Sequence, residues 1–220
     1  RWWSTLVLVV VVLLIPIAPA SAQICWPETQ ILNSGVGTGY VFEWGSVSVS
    51  GDVMVVGIAD EDGPSGLGGD AFIYLRDPQT NQWTEVQHLQ DTAGGTVADF
   101  FGYSVCAEDD VIVIGERGDT ALDTGKVFVY RRNLQSGMWV EAQQLPASNP
   151  LPDDHFGVSV SLSGEVLVIG AVDPDITNAT RAFVFDRDGP GTLVPTHEQS
   201  ELAATAGSPS GRFCSGQRWR

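Results

Sequence analysis

The clearest pattern in the sequence begins with Phe101-Gly102-Tyr103-Ser104-Val105 and ends with Val111-Ile112-Val113-Ile114-Gly115. Both segments return, as Phe156-Gly157-Val158-Ser159-Val160 and Val166-Leu167-Val168-Ile169-Gly170. An earlier, less regular copy reads Trp44-Gly45-Ser46-Val47-Ser48 and is followed by an aliphatic run that ends at Gly57. The aromatic-glycine steps at positions 44, 101 and 156 therefore repeat at intervals of 57 and 55 residues. Self-similarity at a fixed period of this length is typical of repeat proteins.

A second motif, Trp-x-Glu-x-Gln-x-Leu, repeats in step with the first. It occurs over Trp83–Leu89 and Trp139–Leu145, and also over Trp26–Leu32 near the beginning of the chain. A decayed copy over Thr196–Leu202 has lost the tryptophan. Strict alternation over seven residues predicts a half-exposed strand with Trp, Glu, Gln and Leu on one face.

Each full repeat contains four predicted strands. The first follows the aromatic-glycine step, the second is the aliphatic run, the third is a short segment such as Val127–Tyr130, and the fourth is the tryptophan motif. Tight turns are predicted between the first two strands, around Gly51, Asp109 and Gly164. A run that is apolar at every position indicates a strand buried on both faces. The sequence therefore predicts an all-β fold of stacked four-stranded sheets, a β-propeller if they stack radially. A stacked solenoid is the alternative.

The two ends of the chain differ from the repeats. The aliphatic run Leu6–Ile15, two prolines and the small residues Ala20-Ser21-Ala22 are typical of a secretory signal peptide cleaved after Ala22. An uncleaved anchor is the alternative, but the run is too short to span a membrane. We expect a signal peptide over residues 1–22 and a leading strand over 23–33. Three blades follow over about 34–90, 91–145 and 146–202, and residues 203–220 contain the truncated start of a fourth repeat.

The repeats resemble the FG-GAP repeat of integrin-α-like propellers. Phe101-Gly102 and Phe156-Gly157 match the first half of that motif, while Gly115-Glu116-Arg117 and Gly170-Ala171-Val172 occupy the second half without its proline. The resemblance covers residues 26 to about 202 and implies a secreted or cell-surface propeller that binds a partner through its loops. Propellers have about four to eight blades, so three blades do not close a ring. The chain could therefore be a non-autonomous fragment of a longer propeller, and the open faces of its outer blades predict self-association.

The connection after each second strand is acidic, which raises the question of calcium. Asp60, Asp62 and Gly63 approach the calcium loop of the family, in which alternating Asp or Asn residues precede a glycine, but one alternating position is missing. Calcium takes about six to eight oxygen ligands. Asp60 and Asp62 are therefore a candidate calcium site, and solvated turn residues are the other interpretation. Glu116 and Asp173, in the corresponding connections, are expected to be solvated as well.

Charge and motif content limit the function. The chain has 27 acidic and 11 basic residues, with a formal net charge of −16, so it should repel nucleic acids and anionic lipids. The sequence contains no Gly-x-Ser-x-Gly elbow, no phosphate-binding loop and no His or Cys at metal-ligand spacing. We therefore expect a binding module for an unknown protein or glycan, without catalytic activity and without a cofactor other than calcium. The alternative function is that of an enzyme whose active site lies at the propeller mouth.

The three cysteines form no disulfide framework. Cys106 corresponds to Ser161 in the next repeat, which indicates a small buried position. Cys25 and Cys214 lie near the two ends of the chain, and the sequence leaves open whether they pair.

Overall fold

The structure, a computed structural model, describes residues 28–32, 45–59, 68–91, 99–118, 124–147, 154–173, 179–188 and 192–194. The chain divides into two compact units, residues 1–31 and 32–220. In the first unit only residues 28–31 are described, and they form no strand. Across these described ranges no helix is long and apolar enough to cross a membrane. The predicted signal peptide over 1–22 lies outside the described residues.

Twelve strands are described in the second unit, and they form three antiparallel sheets of four strands each, in chain order. Sheet 1 contains β1 (Gly45–Ser50), β2 (Val53–Ile58), β3 (Asp70–Arg76) and β4 (Trp83–Leu89). Sheet 2 contains β5 (Phe101–Glu108), β6 (Val111–Glu116), β7 (Lys126–Arg132) and β8 (Trp139–Pro146). Sheet 3 contains β9 (Ser159–Ser163), β10 (Val166–Asp173), β11 (Ala179–Asp188) and β12 (Thr192–Val194). The prediction of an all-β fold made of four-stranded repeats is confirmed.

The turn between the first two strands is a two-residue loop in all three sheets. Its first residue is Gly51, Asp109 or Gly164, with φ of 57°, 52° and 59° respectively. Glycine adopts this left-handed conformation without steric cost, and aspartate tolerates it better than most residues do. The predicted tight turns are therefore present.

The pairing register shifts the earliest copy of the repeat by one residue relative to the sequence alignment. Ser46 lies opposite Gly57, in the same way that Ser104 lies opposite Gly115. Ser46 therefore matches Ser104, whereas the sequence alignment placed Val47 at that position. The sequence alignment was wrong here because β5 contains a bulge after its phenylalanine, whereas β1 pairs without interruption.

The outermost strand of sheet 3 is also displaced from its predicted position. Trp83 pairs with Arg76, Trp139 pairs with Arg132, and the residue at the corresponding place opposite Arg187 is Leu193. Leu193 thus takes the tryptophan position, three residues before the predicted decayed copy. That copy, residues 196–202, lies outside the described residues.

The three sheets stack face to face over apolar side chains. We call the face of a sheet that turns toward the next sheet in the chain its forward face, and the opposite face its backward face. The forward face of sheet 1 packs on the backward face of sheet 2 in one buried cluster, and sheets 2 and 3 form a second cluster in the same way. The forward face of sheet 1 includes Ser46, Ser48, Ser50, Val53, Val55 and Gly57. The backward face of sheet 2 includes Phe101, Val105, Ala107, Ile112, Ile114 and Phe128.

The phenylalanine-glycine step brings neighbouring sheets into close contact. Gly102 and Gly157 have φ of 85° and 91°, which favours glycine. Their carbonyl oxygens accept hydrogen bonds from the preceding sheet, from Ser46 Oγ at 3.1 Å and from Ser104 Oγ at 2.7 Å. A Cβ on Gly115 would overlap the carbonyl oxygen of Gly157. Glycine is therefore required on both sides of this contact.

Further hydrogen bonds are equivalent at the two interfaces. The Ala107 amide donates to Ser48 Oγ at 3.0 Å, and the Leu162 amide donates to Cys106 Sγ at 3.4 Å. Cys106 is buried, as predicted, and its sulfur takes the place of a serine hydroxyl. Cys25 and Cys214 lie outside the described residues.

The glutamine of the tryptophan motif also joins two sheets. Gln87 Nε2 donates to the Trp139 carbonyl at 2.8 Å, and the Trp139 amide donates to Gln87 Oε1 at 2.8 Å. The side chain of Gln87 thus pairs with the backbone of the neighbouring outer strand as another strand would. The Trp139 ring is buried in the cluster between sheets 1 and 2, where it contributes to packing.

Candidate functional site at the loop edge

One edge of the three sheets carries four connections of nine to twelve residues and one of five residues. The second and fourth strands of a sheet end there, and the next strands begin there, while turns of two to six residues occupy the opposite edge. We call this edge the loop edge. Its connections contain ten acidic residues and one basic residue, Arg117; they are residues 59–69, 90–100, 117–125, 147–158 and 174–178. Because loops held by a rigid sheet commonly carry binding residues, this edge is the candidate functional site.

Three buried carboxylates from the loop edge meet beside a lysine. Asp91 follows β4, Asp99 precedes β5, and Glu116 is the last residue of β6. One carboxylate oxygen of each lies within 4.8 Å of the others. Lys126 begins β7 opposite Glu116, and its Nζ lies 2.9 Å from Glu116 Oε1 and 3.1 Å from Asp91 Oδ2. We call Asp91, Asp99, Glu116 and Lys126 the carboxylate–lysine cluster; Lys126 is the only lysine in the sequence.

Burial controls the protonation of the carboxylate–lysine cluster. It raises the pKa of the Glu116 carboxyl to about 8, although the hydrogen bond and the charge of Lys126 act in the opposite direction. Burial lowers the pKa of the Lys126 ammonium, but its contacts with Glu116 and Asp91 outweigh this effect and raise the pKa above its usual range. Glu116 is therefore mostly protonated at pH 7, which avoids the cost of burying another negative charge.

The raised pKa of Glu116 makes the folded protein less stable as the pH rises. In the folded state this carboxyl keeps its proton from pH 4.5, its ordinary pKa, up to about pH 8, whereas the unfolded chain has lost it. Between these values the free energy of unfolding should fall with a slope approaching about 1.4 kcal/mol per pH unit from this group, and above pH 8 the effect levels off. We expect Glu116→Gln to remove that contribution in urea unfolding curves recorded from pH 5 to pH 8.

The matched control for this measurement is Glu165→Gln, because Glu165 is exposed in a turn at the opposite edge. Its profile should stay parallel to that of the unmodified chain. Parallel profiles for Glu116→Gln and the unmodified chain would contradict the assignment of the raised pKa to Glu116.

The oxygens of this cluster are also of the kind that hard divalent cations bind. Lys126 already supplies the compensating positive charge and contacts two of the three carboxylates. Calcium takes about six to eight oxygen ligands, more than three monodentate carboxylates provide. Among the described residues, Lys126 therefore gives the carboxylate–lysine cluster a structural role, because it holds two of the three buried acids from within the chain.

The next interface contains an ion pair at the same position. The buried Asp154 carboxylate pairs with Arg181 of β11. Arg181 corresponds to Lys126, and each cation lies over a phenylalanine ring two residues later in its strand. The distances to the ring centroids are 5.3 Å for Arg181 over Phe183 and 5.6 Å for Lys126 over Phe128. A cation at the start of the third strand therefore neutralises buried acids in sheets 2 and 3.

Sheet 1 reverses the charge at this position. Asp70, the first residue of β3, is buried, and its Oδ1 lies 2.6 Å from His88 Nε2 and 3.1 Å from Gln90 Nε2. The His88 ring stacks on Phe72 with centroids 4.4 Å apart. An acid held by a histidine and a glutamine thus replaces the cation found in the other two sheets.

The sequence-predicted site residues have different outcomes. Asp60 and Asp62 lie outside the described residues, so the calcium site stays a prediction. Glu116 was expected to be a solvated loop residue, and this was wrong, because it ends β6 with its side chain buried. Sequence reasoning missed Lys126 altogether. The signal that could have found it is that the single lysine of a strongly acidic chain begins a buried strand.

The repeated pairing, the phenylalanine-glycine contacts and the shared interface hydrogen bonds define one structural unit that recurs along the chain. A family model described as the FG-GAP repeat matches residues 83–130 and 139–185. The chain carries FG-GAP repeats. Each matched FG-GAP unit begins with the outermost strand of one sheet and ends within the third strand of the next. As a sequence unit, the FG-GAP repeat therefore spans the interface between two sheets. No individual curated protein matches the chain.

Proposed function

We propose that this FG-GAP protein is a secreted or cell-surface binding module that holds a protein or glycan at its loop edge and catalyses no reaction. The observation that carries the proposal is that the strand order places every connection of nine or more residues between described strands at one edge of the stacked sheets. FG-GAP repeats support it, since they are typical of propeller-type interaction modules.

The polar groups at the loop edge also fit a binding role better than a catalytic one. The buried acids contact cations or hydrogen-bond donors of the same chain, as Glu116 does with Lys126, Asp154 with Arg181, and Asp70 with His88. Groups held in this way stabilise the edge instead of reacting with a substrate. The net acidity of the connections favours neutral or basic partners over nucleic acids and anionic lipids.

The test compares variants of the two edges on arrays of glycans and of extracellular proteins. One variant carries Asp60→Asn, Glu61→Gln and Asp62→Asn at the loop edge, and its control carries Asp109→Asn and Asp110→Asn at the opposite edge. We expect the first variant to lose binding to a ligand that the unmodified chain retains, and the control to keep it. The bound ligand should be recovered with unchanged mass, and a ligand of altered mass would favour an enzyme instead. An equal loss of binding in the two variants would refute the loop edge as the binding site.

Calcium binding by Asp60 and Asp62 can be separated from this function by thermal unfolding. If these residues coordinate calcium, the ion binds only the folded state, and calcium at 100 times its dissociation constant should stabilise the chain by about 2.7 kcal/mol. The melting temperature should then rise at millimolar calcium, and Asp60→Asn with Asp62→Asn should abolish the rise. An unchanged melting temperature would mean that these acids are solvated turn residues.

A further inference from the structure

We infer that two copies of this chain associate head to tail, with the backward face of sheet 1 in each copy packed on the forward face of sheet 3 in the other. This assembly uses sheet faces and leaves the loop edge free, so it does not depend on the proposed binding function. It repeats an interface that the chain already builds twice, between sheets 1 and 2 and between sheets 2 and 3.

The forward face of sheet 3 carries the same residues as the forward face of sheet 1, which is already packed on sheet 2. The pairing registers place the serines of β9 and the small residues of β10 at the positions of their counterparts in β1 and β2. All six positions are identical in residue type. In sheet 3 these positions are Ser159, Ser161, Ser163, Val166, Val168 and Gly170, and in sheet 1 they are Ser46, Ser48, Ser50, Val53, Val55 and Gly57.

The backward face of sheet 1 likewise resembles the backward face of sheet 2. Val47, Phe72, Tyr74 and Trp83 are identical to their counterparts in sheet 2, and Val49 replaces an alanine. Neither this face nor the forward face of sheet 3 contains a charged residue at the positions named. The named positions therefore bury no charge on association, whereas Asp186, opposite Val166 on the forward face of sheet 3, must keep a polar partner or contact with water.

Three valines on the two outer faces are exposed, whereas their counterparts inside the stack are buried. Val47 is 62% exposed and Val49 is 58% exposed, whereas their counterparts Val105 and Ala107 in sheet 2 are 3% and 7% exposed. Val166 of sheet 3 is 40% exposed, whereas its counterpart in sheet 1 is 7% exposed. The exposed residues lie on β1 and β10, strands whose counterparts in other sheets take part in the internal interfaces. Leu32, Met54 and Val56 already pack against Phe72 and Tyr74, so the contact with a second copy falls mainly on β1.

The number of copies follows from the geometry of the faces. The two faces differ, so the contact is heterologous and must either close into a ring or continue as a fibre. Propellers close with about four to eight blades. Two copies supply six of the four-stranded sheets that the structure describes, a number within this range.

The test measures the mass in solution of protein expressed from the full 220-residue sequence, by sedimentation over a range of concentrations. Variant one carries Val47→Asp and Val49→Asp on the backward face of sheet 1, and variant two carries Val166→Arg and Val168→Arg on the forward face of sheet 3. We expect the unmodified chain to form a discrete dimer, and each variant alone to be a monomer with association weakened at least about 100-fold. The control is Val140→Asp, since Val140 is exposed on the outer strand β8 and belongs to neither face.

Mixing the two variants makes the test specific for a head-to-tail contact. In an equimolar mixture the intact face of each variant meets the intact face of the other, so a heterodimer should form, held by one interface. A misfolded variant would not recover association in this way. Three outcomes would overturn the proposal: a monomer at every concentration, a dimer that neither pair of substitutions weakens, or a ladder of larger species without a discrete dimer. The first of these would indicate that other parts of the same chain cover the two faces.

Discussion

Replacing Lys126 with methionine is expected to lower the free energy of unfolding by about 3–5 kcal/mol at pH 7, because the change leaves the buried Asp91 carboxylate without its cation and the buried Glu116 carboxyl without its polar partner. Lys126 Nζ contacts Glu116 Oε1 and Asp91 Oδ2, and both carboxylates are almost fully buried. Methionine preserves the length and the apolar stem of the side chain, so the loss reports the charge. Urea unfolding of the variant and of the unmodified chain measures the difference.

Two further variants decide whether the loss arises from the carboxylate–lysine cluster. Adding Asp91→Asn to Lys126→Met should recover part of the stability, since a buried acid that contacts the ammonium is then removed. Arg76→Met removes an exposed cation and should change stability by no more than about 0.5 kcal/mol. A loss below about 1 kcal/mol for Lys126→Met would show that the cluster does not need its ammonium.

Substituting alanine for Gly115 is expected to destabilise the stack by about 3 kcal/mol or more, because the added methyl group forces two sheets apart. A Cβ at this position would overlap the carbonyl oxygen of Gly157 and the hydroxyl of Ser104. The backbone of Gly157 cannot move without disturbing the hydrogen bond that Ser104 donates to it. Thermal or urea unfolding measures the loss.

Gly170→Ala is the matched control, because Gly170 occupies the same position in sheet 3. A Cβ there would overlap only the hydroxyl of Ser159, which can rotate away, and no backbone atom of a following sheet lies near it. In dilute solution we expect a cost of less than about 1 kcal/mol. Equal losses for Gly115→Ala and Gly170→Ala would contradict the explanation from close approach between sheets.

Most of the strand positions could be predicted from the sequence because they depend on local pattern. The aliphatic run of β6 predicts a strand that is buried on both faces, and the alternation of β8 predicts a strand that is buried on one face. Both predictions hold whatever the neighbouring strands are. The two-residue turns follow from the left-handed preference of glycine and aspartate at Gly51, Asp109 and Gly164. The family resemblance, based on the phenylalanine-glycine steps, was confirmed by the match to the FG-GAP repeat.

The candidate site was predicted much less well. The acidic connections were visible in the sequence, but Glu116 was expected in solvent, and its proximity to Asp91, Asp99 and Lys126 was not foreseen. These residues come from four separate places in the chain. Their distances depend on how two sheets stack, which a linear pattern does not contain.

Local patterns were enough to identify a series of four-stranded β repeats, because strand periodicity and turn preference act over a few neighbouring residues. Which residues lie opposite one another became clear only from the packed sheets. Because β5 contains a bulge and β1 does not, Ser46 and not its neighbour matches Ser104. Only stacking determined that Glu116 is buried beside the single lysine, and that Val47, Val49 and Val166 are exposed where their counterparts are covered. Burial and close approach are set by contacts between segments far apart in the chain, and those contacts exist only when the sheets are packed.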